Sequence, residues 1–122
     1  MENLIKKAQA DKDILALILF GSHARGEARP DSDMDICVVL FPEVYNPQKA
    51  FDLMVNLTYD ENIDVAIYQK MPLYIRQRVL KEGKVLYCIQ EEQLYEIACQ
   101  TITEYADYEH LYHEYLEEVA RG

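Results

Sequence analysis

Gly21-Ser22 and, after ten intervening residues, Asp33-x-Asp35 are the residues of this 122-residue chain whose types and spacing suit chemistry. Side chains two apart on a strand share a face, so Asp33 and Asp35 are expected to point the same way. A Gly-Ser corner offers exposed backbone N–H groups and room for close approach. Two carboxylates beside such a corner make a place for Mg²⁺ and a triphosphate. Nucleotidyl transfer needs both, because an acceptor oxygen attacks the α-phosphorus while pyrophosphate departs. Charge must be neutralised at both oxygens, usually by two metal ions about 3.5–4 Å apart.

Elements must hold these residues in place. The apolar run Ile14 to Phe20 is too short for a typical helix and predicts a strand ending at Gly21. Residues 22 to 26 predict a helical turn, and Glu27 to Ser32, with Pro30, a polar loop. Met34 to Phe41 predicts a second strand, with Cys37 to Leu40 buried on both faces. A short helix over Glu2 to Asp11 precedes them. Pro47 opens a helix to about Tyr59, whose stripe reads Ala50, Phe51, Met54, Val55 and Leu57. Ile63 to Tyr68 alternates like a strand. A helix from about Pro72 to Glu82, with Gly83 as its C-cap, leads to a short strand from Lys84 to Ile89. Helical spacing then returns from Glu91 to Ala120, and the element order as a whole is α/β.

A third carboxylate belongs on a neighbouring strand, and Asp64 fits, standing among Ile63, Val65 and Ile67. Aspartate inside a strand is unfavourable by propensity and asks for a reason. On one face the three carboxylates would repel one another until a metal relieved them. Mg²⁺ takes oxygen ligands and keeps waters, so two or three carboxylates suffice. Gly21 lets the backbone approach the phosphates, and Ser22 adds a hydroxyl and an N–H. If residues 22 to 26 begin a helix, its free N–H groups favour an anion there. Arg25 can then neutralise the departing phosphates, and Ser32 can bond a carboxylate or phosphate oxygen. No lysine follows in the P-loop pattern, so this is a different phosphate device. Arg29 reads as an ordinary loop residue. His110 and His113 lack third and fourth ligands and are left out of the site.

Gly21-Ser22-x-Ala24-Arg25-Gly26, then Ser32-Asp33-x-Asp35, with Asp64 in a later strand, resembles the MNT-type minimal nucleotidyltransferases of the DNA polymerase beta superfamily, often paired with HEPN toxins. The resemblance covers Ile14 to about Ile89. It implies a small mixed β-sheet flanked by helices, the nucleotidyltransferase palm fold, with Gly21 and Ser22 in the triphosphate loop. It also implies that Asp33 and Asp35 hold both Mg²⁺ ions, while Asp64 ligands one and assists deprotonation of the acceptor. ATP as donor comes from the resemblance, since no adenine-reading motif is visible. MntA-like members transfer AMP to a tyrosine of their partner toxin and silence it. Relatives modify small molecules such as aminoglycosides.

Bulk properties narrow the acceptor. The formal net charge is −10, and residues 90 to 122 carry nine acids against one base, Arg121. A surface of that sign repels long nucleic acids. No apolar run approaches membrane-spanning length. Cys37, Cys88 and Cys99 have no paired spacing and read as reduced thiols of a cytoplasmic protein. The expected organisation is a core over 1–89 and an acidic, tyrosine-rich extension over 90–122, with no second lobe to hold a large substrate. That favours a protein acceptor, a HEPN toxin docked partly through the 90–122 segment. A small-molecule transferase and an antitoxin acting by occlusion alone are the alternatives. One helix over Glu91 to Ala120 would be about 45 Å long, against a radius of gyration near 14 Å, so the segment either bends back or projects.

Overall fold

The computed structural model describes residues 2–27, 33–57 and 63–121. Seven consecutive apolar residues, Ile14–Phe20, form β1, which lies inside the sheet because both its faces need cover. It pairs antiparallel with β2 (Met34–Leu40) on one side and with β4 (Lys84–Cys88) on the other. β3 (Ile63–Ile67) adds in parallel to β2, giving the mixed order β3-β2-β1-β4. A parallel neighbour needs a crossover, and the helix α3 (Pro47–Leu57) lies in it.

Two apolar layers sandwich the sheet. Leu4 and Ala8 of α1 (Glu2–Ala10), with Ala50, Leu53 and Leu57 of α3, pack on Leu17, Leu19, Ile36, Val38 and Leu40. On the opposite face, Val79 of α4 (Leu73–Glu82) and Ile97 of α5 (Glu91–Arg121) meet Leu15, Ile18, Cys37 and Val39. Each fully buried leucine, isoleucine or valine among these contributes about 1.5–3 kcal/mol by leaving water.

One local expectation needs correcting. In α3 the core stripe is Ala50, Leu53 and Leu57, while Phe51 and Val55 are exposed, because one helical turn is 3.6 residues. That helix is capped by Asn46, whose side-chain oxygen accepts from the Lys49 N–H at 2.8 Å. Gly83 is the C-cap of α4 as expected, at an ordinary φ of −74° rather than in the left-handed region. Glycine is needed there because a Cβ would strike the Val79 carbonyl oxygen and Ile18.

α5 is a single helix of 31 residues, about 46 Å long. Its first half is anchored by Ile97 and by a buried hydrogen bond between the Thr101 and Tyr68 hydroxyls. Arg76 stacks over the Tyr68 ring at 5.9 Å and pairs with Glu104 at 3.8 Å. From Ala106 to Arg121 every residue is exposed, so the second half projects.

Candidate active site

The β2–β3 ladder sets Asp35 directly beside Asp64 as Cα partners. Each is the second residue of its strand, inside the ladder, where propensity disfavours aspartate. In register, partnered residues of neighbouring strands face the same side. Asp35 is two and four residues from Cys37 and Val39, so its face is the one covered by α4 and α5. Asp33 precedes β2 and is exposed, Asp35 is half-buried and Asp64 is exposed.

β1 delivers Gly21 to the same place, since Phe20 pairs with Asp35. Gly21 has φ +74° and ψ −152°, a conformation closed to other residues. A Cβ on it would collide with the Asp35 carboxylate, whose Cγ lies 3.2 Å from that position. The turn therefore brings bare backbone against the carboxylate. α2 (Ser22–Arg25) follows and is one turn long, closed by Gly26 in the left-handed region. The Arg25 N–H donates to the Gly21 carbonyl at 3.2 Å, and the Glu27 N–H to the Ser22 carbonyl at 2.9 Å. With four residues, α2 has too short a ladder to act as an extended dipole on an anion.

Of the three carboxyls, Asp35 bears the clearest electrostatic stress. Burial pushes its carboxyl above the usual range, and repulsion from Asp64 and then Asp33 adds to it. His23 and Arg25 pull the other way. Three carboxylates on one face are an all-oxygen donor set, the kind a hard divalent cation takes. Among the described residues, however, no three acidic, histidine or cysteine side chains converge to ligating distance as they stand. Like-charge repulsion favours such spread rotamers, and a shared divalent cation favours converging ones. The donor types and shared face fit the cation.

Arg25 points toward α4. Its guanidinium pairs with Glu27 at 3.1 Å and Glu82 at 3.4 Å, and the hydrogen bond to Glu27 raises its pKa further. Ser32 and Arg29 lie outside the described residues. The pairing of Arg78 with Glu82, four residues apart, was open to sequence reasoning as a helical ion pair. Its position against Gly21 was not. A roomier groove of about 620 Å³ between α4, β4 and α5 is lined by Val79, Leu80, Val85, Leu94 and Ile102. It contains none of the three aspartates and is not where the carboxylates gather. His110 is exposed and pairs with Glu114 at 3.1 Å.

Residues 2–92 match the family model described as Polymerase beta, Nucleotidyltransferase. A candidate protein adenylyltransferase of Methanocaldococcus jannaschii is 28% identical over 74 residues, 61% of this chain and 56% of that relative. The chain thus spans little more than half the length of that relative. A crystal structure of a toxin–antitoxin with AMP-PNP superposes with TM-score 0.71 at 24% identity, covering 97% of each chain. A complex of tri-AMPylated Shewanella oneidensis HEPN toxin with MNT antitoxin gives 0.67 at 21% identity, covering 97% of this chain and 94% of that one. These likenesses establish the fold.

Proposed function

Starting from a chain that belongs to the polymerase beta nucleotidyltransferase family, we propose that it moves AMP from ATP to a hydroxyl, a tyrosine of a HEPN-type partner toxin. The observation that carries this reading is the Asp35–Asp64 register beside the bare backbone of Gly21. Asp33, Asp35 and Asp64 would hold Mg²⁺, which when bound neutralises charge on the attacking and leaving oxygens. Gly21 and Ser22 take the phosphate chain along the turn. Asp64, exposed at the start of β3, receives the acceptor's proton as its oxygen bonds to the α-phosphorus. The bond from that phosphorus to the β-phosphate oxygen breaks, and pyrophosphate leaves with the electron pair. Ser32 is assigned to the phosphates from its place in the motif.

The acceptor is inferred from the relatives, among them an MNT antitoxin bound to a tri-AMPylated HEPN toxin. The projecting half of α5, exposed and acidic, supports docking of a basic partner protein through the 90–122 segment. Incubating the chain with its cognate partner, Mg²⁺ and α-labelled ATP tests the reading. Label is expected on the partner, falling at least about a hundredfold with Asp33→Ala plus Asp35→Ala. No transfer by the wild type, or undiminished transfer by the double variant, sinks it. The exposed α5 also favours a second reading, neutralisation by occlusion, which full silencing of the toxin by the same double variant would support.

A further inference from the structure

Gly21 also borders a cleft of about 220 Å³. Phe20, Ile75 and Val79 give it apolar walls, and its charged groups are Arg25, Arg78 and Glu82. Glu82 is divided between the two arginines. One oxygen meets Arg25 Nη1 at 3.4 Å, the other meets Arg78 Nε at 4.0 Å. Charge-assisted bonds of good geometry are about 2.7–2.9 Å, so neither guanidinium is well satisfied by this carboxylate. Ion pairs this long and this exposed are weak and exchange readily. Arg25 is also held by Glu27 at 3.1 Å, so among the described residues Arg78 is the guanidinium here without a close carboxylate.

The cleft also has the right position. α4 packs over the sheet face that Asp35 shares with Cys37 and Val39. Carboxylates and cleft therefore lie over one face, with Gly21 bordering both. A phosphate chain whose α-phosphorus sits by Asp35 reaches the cleft by crossing the Gly21 backbone, where there is no side chain to obstruct it.

We propose that this cleft is a polyphosphate site in which Arg78 joins Arg25 to hold the departing pyrophosphate, with Glu82 occupying the two guanidiniums until the phosphates displace it. The proposal rests on the nucleotidyl-transfer reading and adds to it a residue from α4. Guanidinium forks match phosphate oxygens in geometry, and a pyrophosphate carries more charge than the carboxylate it replaces. As the bond between the α-phosphorus and the β-phosphate oxygen breaks, the electron pair left on that oxygen is met by both arginines. Glu82 takes them back when pyrophosphate leaves.

Calorimetric titration of the full chain with inorganic pyrophosphate and Mg²⁺ tests the site without any acceptor. Arg78→Ala is expected to weaken pyrophosphate about tenfold, with Arg78→Lys recovering part of the loss. Glu82→Gln is expected to tighten it several-fold, because Arg78 is released and Arg25 keeps Glu27 alone. General structural damage would weaken binding in every variant, so the opposite signs identify the role. Wild-type affinity in Arg78→Ala, weakened binding in Glu82→Gln, or no binding by the wild type overturns the site. The transfer reading is judged separately, by label transfer from the unmodified chain. Transfer that proceeds with the KM for ATP unmoved by Arg78→Ala leaves that reading standing and removes this one.

Discussion

At φ +74°, Gly21 turns the chain from β1 into α2 while its missing side chain leaves space for Asp35. Backbone strain and collision with the Asp35 carboxylate thus oppose any Cβ together; turning the Asp35 side chain eases the collision but not the strain. Gly21→Ala is expected to destabilise the protein by about 1–3 kcal/mol and to displace Asp35 from Asp64. The measurement is a denaturant melt beside the transfer assay. Unchanged stability together with unchanged transfer would contradict the geometry. Gly83 differs in kind, since its φ is ordinary and only the close approach of Val79 and Ile18 excludes a side chain.

Among the elements, α5 departs furthest from a simple amphipathic helix. Leu94, Ile97, Thr101 and Tyr105 follow one another at three or four residues and lie buried or partly buried. Tyr108, Tyr112, Tyr115 and Val119 continue the same spacing and are exposed. One stripe therefore has a core under its first half alone. The tyrosines of the free half lie against each other, Tyr108 and Tyr112 stacking at 6.1 Å between ring centroids. Short of tertiary cover, helical stability is marginal, so this segment is suited to gain order from a partner. Ile97→Ala is expected to cost about 2–4 kcal/mol in folding stability. Tyr112→Ala should change it by no more than about 0.5 kcal/mol, yet weaken capture of the proposed partner toxin. A pull-down beside thermal melts separates the two, and equal destabilisation by both variants would contradict a projecting half.

For the whole molecule, buried acids set an alkaline limit. Burial raises both the Cys37 thiol, from its ordinary 9.0, and the Tyr68 hydroxyl, from its ordinary 10.0. The folded chain keeps these protons where the unfolded chain releases them. Stability is then fully present below about pH 9 and declines as pH rises through the raised values. Tyr68→Phe should lower stability at neutral pH by about 1 kcal/mol, since the buried Thr101 hydroxyl loses its partner. It should also flatten the decline above pH 10. Denaturant midpoints from pH 8 to 11 check this, and an unchanged alkaline slope would overturn it.

Read alone, the sequence carried every strand and every α-helix of the described residues, because apolar runs and helical stripes are local signals. Asp33-x-Asp35 after Gly21-Ser22 was legible for the same reason, as a pattern within fifteen residues. Tertiary structure decided what depends on neighbours far along the chain. It set Asp35 beside Asp64 through a parallel ladder and brought Arg78 and Glu82 against Gly21. It made α5 one helix and left its second half uncovered. Periodicity states which face of a helix is apolar. Only the packed sheet, by the length of its own surface, determines how much of that face finds cover.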